Sequence, residues 1–274
     1  MAEPLISVEG LSVAYGAEGT PAVDGISFDL NAGEIVALVG ESGSGKSTVS
    51  LAIMSLLPEM AQLRGRILFE GDDLARFSRR AMENVRGARI GMIFQEPMTC
   101  LNPVLPVSRQ MTEGLIRHRG LSRSEARARA LQALADVGMN EPERVMRSFP
   151  HELSGGMRQR VMIAAALTLE PAVLIADEPT TALDVTVQAQ VLELLVGIRN
   201  RTGAGVLLIT HDIGVVAEVA DRVVVMQYGK AVEQGTVDQI IHHPQMDYTR
   251  ALIASHLGLE RALTDRGQAW LNRT

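Results

Sequence analysis

The run Gly40-Glu-Ser-Gly-Ser-Gly-Lys-Ser-Thr48 constrains this chain more than any other segment. It fits the pattern Gly-x-x-x-x-Gly-Lys-Ser/Thr and lies between an apolar run, Glu34 to Val39, and a stretch from Ser47 to Leu57 with helical apolar spacing that Pro58 stops. Strand, glycine-rich loop and helix in that order build an anion cradle. Glycines let the backbone bend so that successive N–H groups converge, and the helix start adds unpaired N–H groups and the positive end of its dipole. Lys46 supplies a point charge, and the Ser47 hydroxyl is placed as a ligand for the magnesium that accompanies a nucleotide. The spacing predicts nucleotide contacts from Gly40, Ser42, Gly43, Gly45, Lys46, Ser47 and Thr48.

With 274 residues and 46% hydrophobic content, the chain can bury one substantial core, or a core domain plus a smaller lobe. A net charge of −6 gives no overall basic surface for a phosphate backbone, so nucleic acid is not an expected partner. Cys100 is the one cysteine, which excludes an intrachain disulfide, argues against a cysteine-ligated zinc or iron–sulfur site, and points to a reducing compartment. The N-terminus shows no basic start followed by a signal-length apolar stretch. The longest apolar stretch, Val161 to Leu169, is cut by Glu170-Pro171 and falls far short of the roughly 20 residues that span a bilayer. Any membrane link is expected to run through a partner.

From Ile6 to Leu30 apolar and polar residues alternate around turns, as in antiparallel strands with one wet face. Beyond the glycine-rich loop the pattern changes. Apolar runs Arg89 to Phe94, Val173 to Ala176 and Val206 to Thr210 are separated by helical stretches, which predicts an α/β core with a parallel sheet covered on both faces. Between Pro97 and Pro150 the chain reads as an inserted helical lobe, with a capping box Ser122-Arg-Ser-Glu125 opening a helix to about Val137, where Gly138 ends it. Arginines 117, 119, 123, 127 and 129 on this lobe are read as a solvated helix face. After Gln234 short helices and a polar tail are expected, so the domain is set at residues 1–245, the helical subdomain at about 97–160 and the tail at 246–274.

A polar residue follows each apolar run: Gln95 after Phe94, Asp177-Glu178 after Ala176, His211 after Thr210. In an open parallel sheet these positions share the edge where ligands bind, so they are expected to converge with the phosphate loop on one nucleotide. Adjacent residues leaving a strand point different ways, so Asp177 can serve hydrated magnesium while Glu178 faces the attacking water. Gln95 can offer its carbonyl oxygen to the metal, and His211 can hold the terminal phosphate or the water. Taken singly, an Asp-Glu pair also fits a turn, and a lone His or Gln at a strand end also fits a structural role. The segment Leu153-Ser-Gly-Gly-Met-Arg-Gln159 opens a second helix with Ser154 as N-cap and Gly155-Gly156 allowing close approach, a second anion-seeking helix start. One mononucleotide has no need of two, so this one is read as serving a nucleotide held by another copy or partner.

In these motifs the chain resembles the nucleotide-binding subunit of ATP-binding cassette transporters over nearly its whole length. The matching residues are Gly40 to Thr48, Gln95, Leu153 to Gln159, Val173 to Glu178, Ala182-Leu-Asp184 and His211. The resemblance implies a P-loop NTPase (RecA-like) parallel-sheet core with an antiparallel β subdomain and an inserted helical subdomain. It implies an ATPase using ATP and Mg2+, with Glu178, His211 and Gln95 catalytic and Ser47, Gln95 and Asp177 at the metal. It further implies a head-to-tail pair of cassettes, each ATP lying between one phosphate loop and the other's Ser154, Gly155 and Gly156, with Asp184 nearby and Tyr15 stacked on adenine.

Finer similarity, in Phe94 to Pro103, Ala176 to Gln188 and Tyr248 to Leu252, is to importers of the oligopeptide, dipeptide and nickel branch, although Met246-Asp247 replaces a common His-Pro and a cysteine-bearing tail is missing. The implied partners are a second ABC ATPase subunit, two integral-membrane permease subunits and, indirectly, an extracytoplasmic solute-binding protein. The implied place is the cytoplasmic face of the membrane. Peptides are the expected solute, with nickel, glutathione or another small solute as the alternative. A soluble ABC ATPase acting on ribosomes or DNA and a P-loop kinase are the other readings; the kinase has no use for Leu153 to Gln159.

Overall fold

The computed structural model describes residues 3–16, 20–96, 100–180 and 185–255. Two sheets organise it. The first is antiparallel, in the order β2-β1-β4-β5, from β1 (Ile6–Tyr15), β2 (Val23–Leu30), β4 (Ala61–Phe69) and β5 (Asp72–Asp73). The second has the order β10-β9-β3-β8-β7-β6, from β3 (Ile35–Val39), β6 (Ile90–Ile93), β7 (Val173–Asp177), β8 (Gly205–Thr210), β9 (Arg222–Gln227) and β10 (Lys230–Thr236). Strands β9, β3, β8, β7 and β6 pair in parallel, and β10 closes one edge antiparallel to β9.

The alternation of side chains along the parallel strands sorts the core. Val36, Leu38, Leu207, Ile209, Val173, Ile175 and Val224 face the antiparallel sheet and α1 (Lys46–Ile53), where they join Ile6, Leu11, Ile26 and Val49. The opposite face carries Ile35, Val206, Leu208, Leu174 and Ala176 against residues of the helices. These helices are α3 (Val107–Arg119), α4 (Arg123–Asp136), α5 (Pro142–Arg147), α6 (Gly155–Leu167) and α7 (Val185–Thr202). Toward the β9 edge, Ala37, Val39, Val223 and Val225 are covered by α8 (Ile213–Val219), α9 (Val237–His242) and by Leu252 and Ile253 of a helical stretch over 247–255. Every residue of β3, β7 and β8 is buried, which is why those runs are apolar up to the polar residues, Asp177 and Thr210, that end β7 and β8.

Helix α4, between β6 and β7, begins at the capping box seen in the sequence. Ser122 Oγ accepts from Glu125 N at 3.3 Å and Glu125 Oε2 accepts from Ser122 N at 2.8 Å, the reciprocal capping box of α4. One expected boundary is corrected. Helix α1 stops at Ile53 instead of Leu57, because Ser55 takes φ 51° and its N–H bonds to Ala52 O while Leu56 N reaches back to Leu51 O. Arg86, from the end of α2 (Arg79–Val85), donates to the freed carbonyls of Met54 and Ser55 at 2.7 and 2.6 Å. Strands β4, β5, β9 and β10 are additions to the sequence reading. Residue 246 falls just ahead of the 247–255 helical stretch, where Glu233 of β10 accepts from Gln245 N and Met246 N at 2.7 and 3.2 Å.

Candidate functional site

The loop from Gly40 to Gly45 joins β3 to α1 and is moulded by close backbone approach. A Cβ at Gly40 would lie 2.2 Å from Met226 O, and one at Gly45, whose φ is 99°, would lie 2.3 Å from Ala22 O. Gly45 is the N-cap of α1 and offers no side-chain cap, so the first N–H groups of that helix have no side-chain acceptor there. Ser42 and Gly43 stand exposed at the loop tip.

Lys46 is buried beneath this loop. Its Nζ donates to Gly40 O at 2.7 Å and to Glu41 O at 2.8 Å, with Ser44 Oγ at 3.4 Å. Burial lowers its pKa, and the charges of Glu178, Asp177 and Glu41 work against that shift. Asp177, 3% exposed at the end of β7, has Ser47 Oγ at 3.2 Å from one carboxylate oxygen and Ser50 Oγ at 3.0 Å from the other. Burial raises its pKa, Glu178 adds to the rise, and Ser50, Ser47 and Lys46 oppose it.

The next residue turns away from the strand. Glu178 takes φ 46°, a left-handed conformation that costs a non-glycine residue about 1–2 kcal/mol, and its N–H is held by Ile209 O at 2.8 Å. That turn sends its carboxylate between two neighbours. Gln95 Nε2, following β6, donates to Glu178 Oε2 at 3.0 Å, and His211 Nδ1, following β8, lies 3.4 Å from Glu178 Oε1. Loop, Gln95, Asp177, Glu178 and His211 thus gather at the carboxyl ends of β3, β6, β7 and β8, one edge of one sheet. At the rim, Tyr15 of β1 is 39% exposed with its hydroxyl 3.3 Å from Thr48 Oγ1.

Ser154, Gly155 and Gly156 are elsewhere. Ser154 caps α6 by accepting from Met157 N at 3.3 Å, and Ser154 and Gly156 line a separate cleft of about 500 Å3 with Gly138, Asn140, Arg144 and Arg160. No residue of the phosphate loop lines that cleft. Asp184 lies outside the described residues. Three groups at or near the site make contacts that the sequence reading did not assign, although Gln159 and Tyr248 fall at the ends of segments it quoted. Ser50 reads as an ordinary helix residue until Asp177 is beside it; Gln159 Nε2 donates to Pro179 O at 2.7 Å and so ties the start of α6 to the Glu178 turn; Tyr248 reaches Glu41 N at 3.2 Å.

A glycine-built phosphate cradle, a buried lysine beneath it and a carboxylate pair at the switch edge of a parallel sheet define a P-loop nucleotide-binding cassette. The ABC transporter family pattern matches residues 23–181, and the chain belongs to that family. It is 55% identical over 257 residues to the peptidoglycan transport ATP-binding protein YejF of Agrobacterium fabrum, a match covering 92% of this chain and 47% of that protein. It is 52% identical over 261 residues to the oligopeptide transport ATP-binding protein OppD of Bacillus subtilis, covering 93% of this chain and 73% of that one. The chain therefore spans about half the length of the first relative and about three quarters of the second. Among solved structures, the fold is similar to the ATP-binding cassette MJ0796 in a dimeric post-hydrolysis state with ADP and phosphate, with TM-score 0.76, 28% identity and coverage of 85% of this chain and 98% of that one. It is also similar to cbiO1 of Clostridium perfringens, with TM-score 0.73, 30% identity and coverage of 96% and 100%.

Proposed function

We propose that this chain is the ATP-hydrolysing subunit of an importer, with peptides as the solute class. One observation carries the reading: Lys46, Asp177, Glu178, Gln95 and His211 meet at one sheet edge around an open phosphate cradle. Loop N–H groups and Lys46 bind the β- and γ-phosphates of ATP, and Tyr15 stacks on the adenine. The hydroxyl of Ser47, the carboxylate of Asp177 and the amide oxygen of Gln95 form a set of hard oxygen donors that fits Mg2+, with the first two already 3.2 Å apart. The chemistry of that ion is neutralisation of charge on the phosphate oxygens. Glu178, between Gln95 and His211, takes the proton of the attacking water, while His211 and Gln95 hold the carboxylate in line with it.

The solute class is supported by the names of relatives: beside OppD stands the dipeptide transport ATP-binding protein DppD of Bacillus subtilis at 52% identity, and the glutathione import protein GsiA of Shigella boydii at 51%. Among the described residues no helix is long and apolar enough to cross a membrane, so the coupling is assigned to partners. These are a second cassette, the same or paralogous, and two permease subunits that hold the pair at the cytoplasmic face and receive solute from an extracytoplasmic binding protein.

Isolation of the tagged chain from detergent-solubilised membranes tests the reading. Two polytopic proteins should accompany it, with ATPase activity that Lys46→Ala reduces through the loss of about 1.5–3 kcal/mol of phosphate binding. Recovery of ribosomes or DNA-repair factors, or activity untouched by the substitution, would contradict it.

A further inference from the structure

The phosphate loop is gripped from a part of the chain that the ATPase chemistry does not use. Tyr248 lies in the helical stretch 247–255, and its hydroxyl accepts the N–H of Glu41 at 3.2 Å across 207 residues of sequence. That N–H belongs to the peptide unit linking Gly40 to Glu41. The carbonyl of the same unit, Gly40 O, accepts from Lys46 Nζ at 2.7 Å. A peptide unit is rigid and planar with its N–H and C=O on opposite edges, so Lys46 holds one edge and Tyr248 the other. The flanking Gly40 has no Cβ to bar rotation of the plane, and its backbone is packed on Met226 O, so hydrogen bonds must set the tilt.

Tyr248 is itself firmly presented. One turn further along, Leu252 and Ile253 are buried against Val39 and Ala37, the strand that runs into the loop. At the other end, Glu233 accepts from Gln245 N and Met246 N and fixes where the stretch begins. Partial burial raises the pKa of the Tyr248 hydroxyl; the Glu41 N–H works against that shift, and the charges of Glu41 and Tyr228 add to it, so the group stays neutral.

We propose that Tyr248 is a positioning residue for nucleotide binding: by fixing the Gly40–Glu41 peptide plane opposite Lys46, it sets the shape of the cradle and ties the 247–255 helical stretch to nucleotide affinity. The inference rests on the loop being the ATP site.

Tyr248→Phe keeps the ring and removes only the hydroxyl. Calorimetric titration of the full chain with Mg-ADP, together with steady-state ATPase kinetics, should show nucleotide Kd and KM raised about two- to tenfold, the range covered by one neutral hydrogen bond. The kcat should stay within about twofold, because the hydroxyl touches no reacting atom, and the thermal midpoint without nucleotide should hold. Tyr248→Leu should reproduce the affinity loss and add a fall in thermal midpoint from lost ring packing. Unchanged Kd and KM in Tyr248→Phe, with wild type binding nucleotide normally, would overturn this inference alone. A wild-type chain that bound no nucleotide would overturn the ATPase reading and the inference together.

Discussion

At the scale of the residue, Asp177 shows how a functional demand is set against stability. Its carboxylate is buried with a pKa above the usual 3.8, burial being the largest cause. Ser50 Oγ lies 2.9 Å from Ser47 O and 3.0 Å from Asp177 Oδ2, yet it has one proton to give. A protonated Asp177 could donate to Ser50, which would pass its own proton to Ser47 O; the ionised form leaves one of the two acceptors short. A raised pKa means that the fold binds this proton more tightly than the unfolded chain does. The native state is therefore relieved as pH falls toward the raised pKa and carries the full cost of ionised Asp177 above it. Asp177→Asn supplies an N–H donor in the same place. In the nucleotide-free protein it should raise stability near neutral pH by on the order of 1 kcal/mol, about 2–4 °C in thermal midpoint, while ATPase activity is lost. The advantage over wild type should shrink as pH falls and Asp177 takes up its proton. Scanning calorimetry across pH checks this, and a lower midpoint for the variant at pH 7 would refute the account. Lys46 and Ser47 were legible in the sequence from the spacing of the glycine-rich loop, and Asp177 from its place directly after an apolar run. Ser50 was not, since a serine within a helix gains its meaning only from a strand 127 residues away.

At the scale of the element, what could be read depended on whether a segment's environment is local. Strands β3, β7 and β8 are buried on both faces, so their apolar runs carry their own signature. In β4 only Ile67 and Phe69 are fully buried and the first six residues are half-buried or exposed, so no alternation marks it. The run Val223 to Met226 in β9 is four apolar residues long, and periodicity alone does not separate such a run from a buried helical turn. At the end of α1 the left-handed Ser55 closes the turn and Arg86, 32 residues downstream of Met54, takes a freed carbonyl, a partner no local pattern announces. The 247–255 stretch has the same character: its start is fixed by Glu233, a side chain from β10. Burial pushes the Glu233 pKa up, but the N–H groups of Gln245 and Met246 and the charge of Arg250 outweigh it, so the carboxyl titrates below its usual value. With a depressed folded pKa, this support is fully present above the ordinary carboxylate range and is lost as pH falls through the folded value. Glu233→Ala should imitate the acid state at neutral pH. Amide exchange over 247–255 should accelerate about tenfold while β3 and β8 keep their protection, because the helical stretch can open without the sheet. Equal acceleration in both would mean that Glu233 supports the whole fold instead of one element.

At the scale of the whole molecule, the two anion-seeking helix starts of one chain stand apart. The cradle, the lysine and the carboxylate pair lie together, whereas the second anion-seeking helix start, with Ser154 exposed at its N-cap, opens on a cleft that no phosphate-loop residue lines. An N-cap serine over two glycines offers helix-start N–H groups to an anion, and on the reading proposed above these serve the γ-phosphate of a second copy. Two copies arranged head to tail would then enclose two nucleotides. ATP would hold the pair closed because each γ-phosphate is shared, and cleavage would release it. Glu178→Gln separates binding from cleavage. The amide keeps the size of the side chain and can still accept from Gln95, but it cannot take a proton from water and places no charge beside the γ-phosphate. Turnover should fall by about 10²-fold or more. Light scattering on a column should find twice the 29.6 kDa mass of the single chain in Mg-ATP, and the single mass in Mg-ADP or without nucleotide. Adding Ser154→Arg to the same variant should return the protein to the single mass in ATP, because bulk at the helix start bars the second copy while the cradle of each chain still binds nucleotide. A Glu178→Gln protein that stays single at saturating ATP, or a doubled mass that survives Ser154→Arg, would mean that the site is complete within one chain.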